Sequence, residues 1–168
     1  MKRLIVLLVA ACIGVCANAQ VRALGATFGT YEAVSMQHWV YGTDNVFQLD
    51  LGYHTGLPAH KGLPAAGAVK LMASYNIMVY TPEWTNEGYW NIYAGPGIYL
   101  GGGWKPGKGL TFGIMAIAGL EYRFEYHPLL LSADIRPSAG MVLTNNKFIY
   151  DRDTFLDLVP TVSVRYLF

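Results

Sequence analysis

The sequence predicts an all-β fold, an eight-stranded antiparallel up-and-down transmembrane β-barrel, from its composition and its residue alternation. Hydrophobic residues make up 53% of the chain and charged residues 14%, whereas charged residues average about 25% of a soluble domain. No apolar run after residue 19 approaches the length of a membrane-spanning helix, which needs roughly 20 residues. A barrel reconciles these facts, because a strand that faces lipid is apolar only at every second position.

The first nineteen residues have the layout of a secretory signal. Lys2 and Arg3 precede an apolar stretch, and Ala17-Asn18-Ala19 forms an A-x-A cleavage site. The chain therefore divides into a signal peptide at residues 1–19 and one β-barrel domain at residues 20–168. A lipoprotein signal is the alternative, because the segment that ends at Cys12 (VAAC) resembles a lipobox.

Cysteine content and net charge exclude some classes of function. Both cysteines, Cys12 and Cys16, lie within the predicted signal, so the mature chain would have no thiol for a disulfide, a metal or a nucleophile. Removal of Lys2 and Arg3 leaves ten basic residues against eleven acidic ones, a net charge of −1 with neutral histidines. This balance carries no signature of nucleic-acid binding, and we predict no nucleic-acid partner.

The last segment of the chain shows the alternation most clearly. Successive side chains of a strand point to opposite faces, so one face of this segment is expected to meet lipid and the other the barrel interior. The apolar face consists of Leu156, Leu158, Pro160, Val162, Val164, Tyr166 and Phe168, and the mostly polar face consists of Asp157, Val159, Thr161, Ser163, Arg165 and Leu167. The segments around Phe47, Leu71, Ile114 and Leu131 repeat this pattern.

Clusters rich in Gly, Pro, Asn and Asp separate the alternating segments and predict turns or loops. They divide the chain into eight strands, to within about three residues at each boundary. The predicted strands lie at residues 21–29, 32–40, 46–54, 66–80, 89–100, 110–124, 128–140 and 155–168.

An even number of strands predicts both termini on the periplasmic side, with the loops after strands 3, 5 and 7 on the outside. Barrels of this kind carry a girdle of aromatic residues at each membrane interface. The predicted periplasmic girdle consists of Trp39, Tyr41, Trp90, Tyr122, Phe124, Tyr126, Tyr166 and Phe168, and the outer one of Tyr53, Trp104, Phe148 and Tyr150.

Four segments together carry a resemblance to a known family: residues 91–97 (NIYAGPG), 119–124 (GLEYRF), 128–137 (PLLLSADIRP) and 162–168 (VSVRYLF). They resemble the small outer-membrane β-barrel family of the OmpX and OmpA-barrel type. The resemblance implies a location in the outer membrane of a Gram-negative bacterium, in contact with lipid and lipopolysaccharide. It also implies that Tyr166 and Phe168 form the signal read by the outer-membrane assembly machinery. It implies no catalytic role, because members of one fold family do different things.

Eight charged residues are predicted to point into the barrel, four of each sign. The interior of an eight-stranded barrel is just wide enough to be filled by side chains, and buried charges are costly unless they are paired. We therefore predict a structural network of charges that plugs the lumen, and the alternative is a proton path or a narrow, gated pore. The residues are Asp50, Lys70, Glu121, Arg123, Asp134, Arg136, Asp157 and Arg165.

Basic residues in the predicted external loops are candidates for contacts with lipopolysaccharide phosphates, although any solvated loop carries such residues. They are Lys61, Lys105, Lys108, Lys147 and Arg152. His54 and His60 raise an enzymatic alternative, because small barrel enzymes that modify lipid A use a histidine near the outer rim. No serine is paired with these histidines in a recognisable motif, so solvated loop histidines are the simpler interpretation.

These observations favour a non-enzymatic barrel with a role in envelope integrity or surface interactions, without catalytic residues, cofactor or bound metal. Two alternatives stay open. One is a barrel enzyme that modifies the acyl chains of lipid A, and the other is a small accessory subunit of an envelope transport complex.

Overall fold

The computed structural model describes residues 22–29, 31–54, 68–103, 109–144, 147–151 and 160–168. Every regular element in these ranges is a β-strand. The described residues contain no helix that is long and apolar enough to cross a membrane. The strands are β1 (Arg22–Phe28), β2 (Glu32–Trp39), β3 (Val46–His54), β4 (Ala68–Tyr80), β5 (Tyr89–Gly103), β6 (Leu110–Arg123), β7 (Leu129–Ile135), β8 (Ser138–Thr144), β9 (Lys147–Asp151) and β10 (Thr161–Leu167).

The strands form a closed antiparallel barrel of eight walls. Strands β1 to β6 pair with their neighbours in chain order, β6 pairs with both β7 and β8, and β10 joins β7 to β1. The last contact closes the barrel, and the backbones of Arg22 and Phe168 exchange two hydrogen bonds of 2.9 and 3.1 Å at its end. The predicted eight-stranded antiparallel β-barrel is therefore confirmed.

The seventh and eighth walls differ from the predicted strands. The predicted strand at 128–140 is interrupted at Arg136 and Pro137 and continues to Thr144, so that β7 pairs with one half of β6 and β8 with the other. Proline has no N–H to donate to a neighbouring strand, which favours a break at this position. Strand β9, predicted as part of a loop, pairs with β8, and it shares the eighth wall with β10.

Polar side chains face the interior of this barrel, which we call the lumen, and apolar side chains cover the outside. In β7 and β10 the buried and exposed residues alternate without interruption, as the sequence predicts. The largest fully buried side chains include Arg165, Gln37, Gln48 and Glu121. Exposed residues of the walls include Leu24, Val34, Leu51, Leu71, Ile98, Ile114, Leu131 and Val164.

The two ends of the barrel differ in their connections. The turn end, as we call it, carries the short connections at residues 40–45, 81–88 and 124–128. Strands β1, β3 and β5 end at the opposite end of the barrel, which we call the loop end. At the turn end, aromatic rings on the outer wall stack in series, with centroid distances of 5.6 Å for Trp84 and Trp90, 4.6 Å for Trp90 and Tyr122, and 4.8 Å for Tyr122 and Phe124. Gly88 adopts a φ of 78° in the adjacent turn, a conformation that favours glycine.

Trp39 does not join this girdle, contrary to the sequence prediction. It packs inside the barrel against the buried cluster of Ala23, Leu130 and Leu167. The reason lies in the alternation of β2, where Trp39 shares the inward phase of the fully buried Ser35 and Gln37.

Candidate functional site: the polar lumen

Arg136 is the centre of the charged part of the lumen. The break between β7 and β8 places it beside Asp134, with which it forms hydrogen bonds of 2.5 and 3.2 Å. Its Nη1 donates to Asp50 Oδ2 across the barrel at 2.6 Å. The hydroxyl of Tyr93 donates a third hydrogen bond to Asp134, at 2.9 Å. One guanidinium group thus joins the wall at β7 to the wall at β3.

Side-chain amides extend this cluster toward Glu121. Gln48 donates to Asp50 at 2.7 Å, and its carbonyl oxygen accepts hydrogen bonds from Asn76 at 2.9 Å and Gln37 at 3.1 Å. Gln37 lies 3.4 Å and Asn91 3.5 Å from the carboxylate of Glu121, at the long end of the hydrogen-bond range. Amides therefore connect Asp50 on β3 to Glu121 on β6, and Arg136 joins Asp134 on β7 to this set. We call the connected set the lumen network.

Arg165 is fully buried and forms no ion pair with the described residues. Its Nε donates to Ser35 at 2.9 Å and its Nη1 to Ser132 at 2.8 Å. Among the described residues, its Nη2 is buried without a hydrogen-bond partner, as are Gln37 Oε1, Asp50 Oδ1 and Asn76 Oδ1. Buried polar atoms of this kind are commonly satisfied by ordered water, so the centre of the lumen is suited to hold it.

Apolar residues lie on both sides of the lumen network. Toward the turn end, the cluster of Ala23, Leu130 and Leu167 with Trp39 narrows the lumen. Toward the loop end, Met72, Tyr99 and Met115 form a second buried cluster. The ring of Tyr99 passes so close to the backbone of Gly140 that a Cβ there would lie 1.9 Å from the tyrosine hydroxyl. The polar centre thus lies between two apolar layers.

Lys70 lies beyond the second apolar layer, toward the loop end. Its ammonium group is 4.1 Å from the ring centroid of Tyr99 and 4.4 Å from that of Tyr31. It also lies 3.3 Å from the Tyr31 hydroxyl, to which it donates. Aromatic faces attract cations in this way, so the two rings contribute to stabilising this charge.

The structure brings together some of the predicted charges and separates others. Asp50, Asp134 and Arg136 form the ion-paired centre, and Glu121 reaches it only through amides. Arg165 is hydrogen-bonded to two serines, and Lys70 lies against two aromatic rings. Arg123 lies at the turn end, and its side chain forms no hydrogen bond or ion pair with a described residue. Asp157 lies outside the described residues.

Neutral polar residues were missed by reasoning that followed charges alone. Gln37, Gln48, Asn76, Ser35 and Ser132 make most of the contacts in the lumen. Their signal was present in the sequence, because each occupies an inward position of its strand. Inward-facing amide and hydroxyl side chains can form hydrogen bonds to a buried charged group where no residue of opposite charge faces it.

The remaining candidate residues are mainly at the loop end. Lys61, Lys105, Lys108, Arg152 and His60 lie outside the described residues, as do the side chains of Lys147 and His54. Tyr166 and Phe168 are exposed on the outer face of the barrel, in and directly after β10. No group of three or more metal-ligating His, Cys, Asp or Glu residues occurs in the described part of the chain.

Comparison with known proteins identifies no relative of this chain, so its function must be inferred from the fold and the lumen. No family model matches the chain, and no curated protein or solved structure is significantly similar to it. The class of protein that the coordinates define is a closed eight-stranded antiparallel β-barrel with a polar interior.

Proposed function

We propose that the chain is an integral outer-membrane β-barrel protein of a Gram-negative bacterium, related in type to the small OmpX and OmpA barrels. The observation that carries the proposal is the polarity of the wall, which is apolar outside and polar inside. A water-soluble barrel gains stability by burying apolar side chains in its interior. In this barrel the arrangement is reversed, as expected when lipid surrounds the wall.

The extent of the exposed apolar surface supports a membrane environment. Each of the strands β1, β3 to β7 and β10 carries at least two exposed large apolar side chains. Strands β2, β8 and β9 contribute Val34, Met141 and Phe148. Soluble monomers rarely expose contiguous apolar patches larger than a few hundred Å². The stacked rings of Trp84, Trp90 and Tyr122 at the turn end match the aromatic girdle of a membrane interface.

The contents of the lumen favour a structural role in the envelope over transport. Two buried apolar clusters and the ion-paired Arg136 lie along the barrel axis, which supports a lumen filled by side chains. We propose that the protein contributes to envelope integrity or presents its loops for surface interactions, and that it contacts lipid and lipopolysaccharide. No observation on the described side chains favours the lipid A-modifying or accessory-subunit alternatives.

Cell fractionation tests the location. The protein should fractionate with the outer membrane, begin at Gln20, and migrate differently on gels before and after heating, because a folded barrel resists detergent unfolding. N-terminal sequencing of the purified protein checks the cleavage site. Recovery in the soluble periplasm, or an acylated N-terminus at Cys12, would contradict the proposal.

Assembly in the outer membrane should depend on Phe168. We expect Phe168→Ala to lower the yield of the heat-modifiable form, because Phe168 ends the strand that closes the barrel and is the proposed assembly signal. Phe28→Ala is a matched control, since Phe28 lies on the neighbouring strand and its side chain is exposed to a similar extent, 56% against 59%. Equal yields from the two variants would count against the assembly signal.

Conductance in planar bilayers tests the filled lumen. The purified barrel should conduct ions only feebly, because small eight-stranded barrels have interiors filled by side chains. Large, steady single-channel currents from the wild-type protein would show that the lumen is open.

A further inference from the structure

A separate cavity lies at the turn end of the barrel. It has a volume of about 560 Å³ and is open to solvent, and it falls within the range of roughly 300–1,000 Å³ that is typical of small-molecule sites. We call it the mouth cavity. It is lined by Tyr89, Arg123, Phe124, Glu125, Tyr126, His127, Pro128 and Leu167.

Backbone pairing holds the lining of the mouth cavity in place. Tyr89 and Arg123 are register partners at the ends of β5 and β6. The turn that follows Arg123 is tied to its neighbours by hydrogen bonds from Phe124 N to Leu129 O at 3.1 Å and from Leu167 N to Pro128 O at 2.8 Å. The cavity is therefore bounded by paired strands and a hydrogen-bonded turn.

Charged side chains of both signs line this cavity without neutralising each other. Arg123 and Glu125 form no ion pair, and neither makes a side-chain hydrogen bond to a described residue. The charge of Arg123 acts on Glu121 in the lumen, but only at a distance. Arg123 thus differs from Arg136, whose guanidinium group is occupied by two carboxylates.

We propose that the mouth cavity binds a small zwitterion, namely an amino acid or a short peptide with free ends. Arg123 would hold the carboxylate, because a guanidinium group presents paired N–H donors that match its two oxygens. Glu125 accepts from the ammonium group. The rings of Tyr89 and Tyr126, both largely exposed in the cavity, contact the apolar body of the ligand.

The presence of both Arg123 and Glu125 in the lining favours a zwitterion over ligands of a single charge. A simple anion would be attracted by Arg123 and repelled by Glu125. A simple cation would be attracted by Glu125 and repelled by Arg123. A zwitterion satisfies both groups at once. A metal ion is disfavoured because the described residues contain no cluster of ligating side chains at this position.

Calorimetric titration of the folded barrel in detergent micelles tests the proposal, with three forms of one dipeptide as probes. They are alanyl-phenylalanine with free ends, its N-acetyl form and its C-terminal amide. We expect saturable binding of the free dipeptide and a loss of about tenfold or more for each blocked form, which corresponds to about 1.4 kcal/mol per lost charged contact. Equal affinity for all three forms, or no binding at concentrations of about 10 mM, would overturn the proposal.

Variants assign the two contacts. Arg123→Gln should weaken binding of the free dipeptide and abolish its advantage over the amide, whereas Glu125→Gln should abolish its advantage over the N-acetyl form. Tyr41→Leu, an exposed tyrosine in another turn of the same end, is the control and should bind as the wild type does. Heat-modifiable migration shows that each variant folds. Unchanged affinity in folded Arg123→Gln would refute the assignment.

Discussion

Arg136 and Arg165 are both buried in the lumen, yet the barrel accommodates them in different ways. Arg136 forms ion pairs with Asp50 and Asp134. Arg165 donates to the hydroxyls of Ser35 and Ser132, and its Nη2 has no hydrogen-bond partner in the part of the chain that the structure describes. One charge is thus neutralised directly by carboxylates, and the other is solvated by neutral groups.

The difference shows how the backbone determines what a buried charge can reach. Arg136 lies where the seventh wall breaks before Pro137, and its side chain reaches from there to β3. Arg165 lies in the regular part of β10, and its bonded partners on β2 and β7 carry hydroxyls. Removing one partner of a buried ion pair leaves an uncompensated charge, whereas hydroxyls that lose a partner leave neutral groups. The two sites should therefore respond differently to substitution.

The largest effect is expected from Arg136→Ala. This change leaves Asp50 and Asp134 buried without their ion-pair partner, and breaking a buried ion pair typically costs about 3–5 kcal/mol. Urea-dependent unfolding in lipid vesicles measures the loss. Arg136→Lys is the control, because it keeps the charge and should retain part of the stability. A loss below about 1 kcal/mol for the alanine variant, which is typical of exposed pairs, would show that water reaches the site.

Asp134→Ala should follow, with a loss of about 3 kcal/mol, at the lower end of the same range. Arg136 keeps Asp50 in this variant, but the hydroxyl of Tyr93 loses its acceptor. The same unfolding measurement applies, and adding Tyr93→Phe should recover part of the loss. Failure of the second change to recover any stability would mean that the hydroxyl finds another partner.

Arg165→Met should have a smaller effect, about 1–2 kcal/mol. The change removes two hydrogen bonds to serines, and it also removes a buried charge whose Nη2 is unpartnered. Methionine preserves much of the side-chain volume of arginine. Comparing the stability losses of Arg165→Met and Arg136→Met therefore isolates the electrostatic contribution of each arginine. If the two methionine variants lost the same stability, the distinction between the two arginine sites would fail.

The smallest expected effect is the energetic coupling between substitutions at Arg136 and at Arg165. Arg136 and Arg165 share no hydrogen-bonded residue in the described lumen. The double variant Arg136→Ala with Arg165→Met should therefore lose nearly the sum of the single losses, with a coupling energy below about 1 kcal/mol. A larger coupling would indicate that the two sites form one network.

Much of the barrel was predictable because a strand has a period of two. The alternation around Val164 and Leu131 assigned the outward faces of the last walls, and the buried residues follow it. The seventh wall was harder to predict from the sequence. Pro137 indicates where strand pairing is interrupted, but not that β8 continues the same wall along β6. Strand β9 was missed because its short segment is flanked by turn-forming residues.

The candidate site was predictable in its composition but not in its pairings. The sequence by itself determined that the chain forms an eight-stranded barrel and that residues such as Asp50, Asp134, Arg136 and Arg165 point inward, because alternation depends only on the order of residues along one strand. Which of them meet was decided by the tertiary structure. A contact across a lumen depends on the register and the closure of all eight walls, and these brought Arg136 to two carboxylates, Arg165 to two hydroxyls and Arg123 to an open cavity.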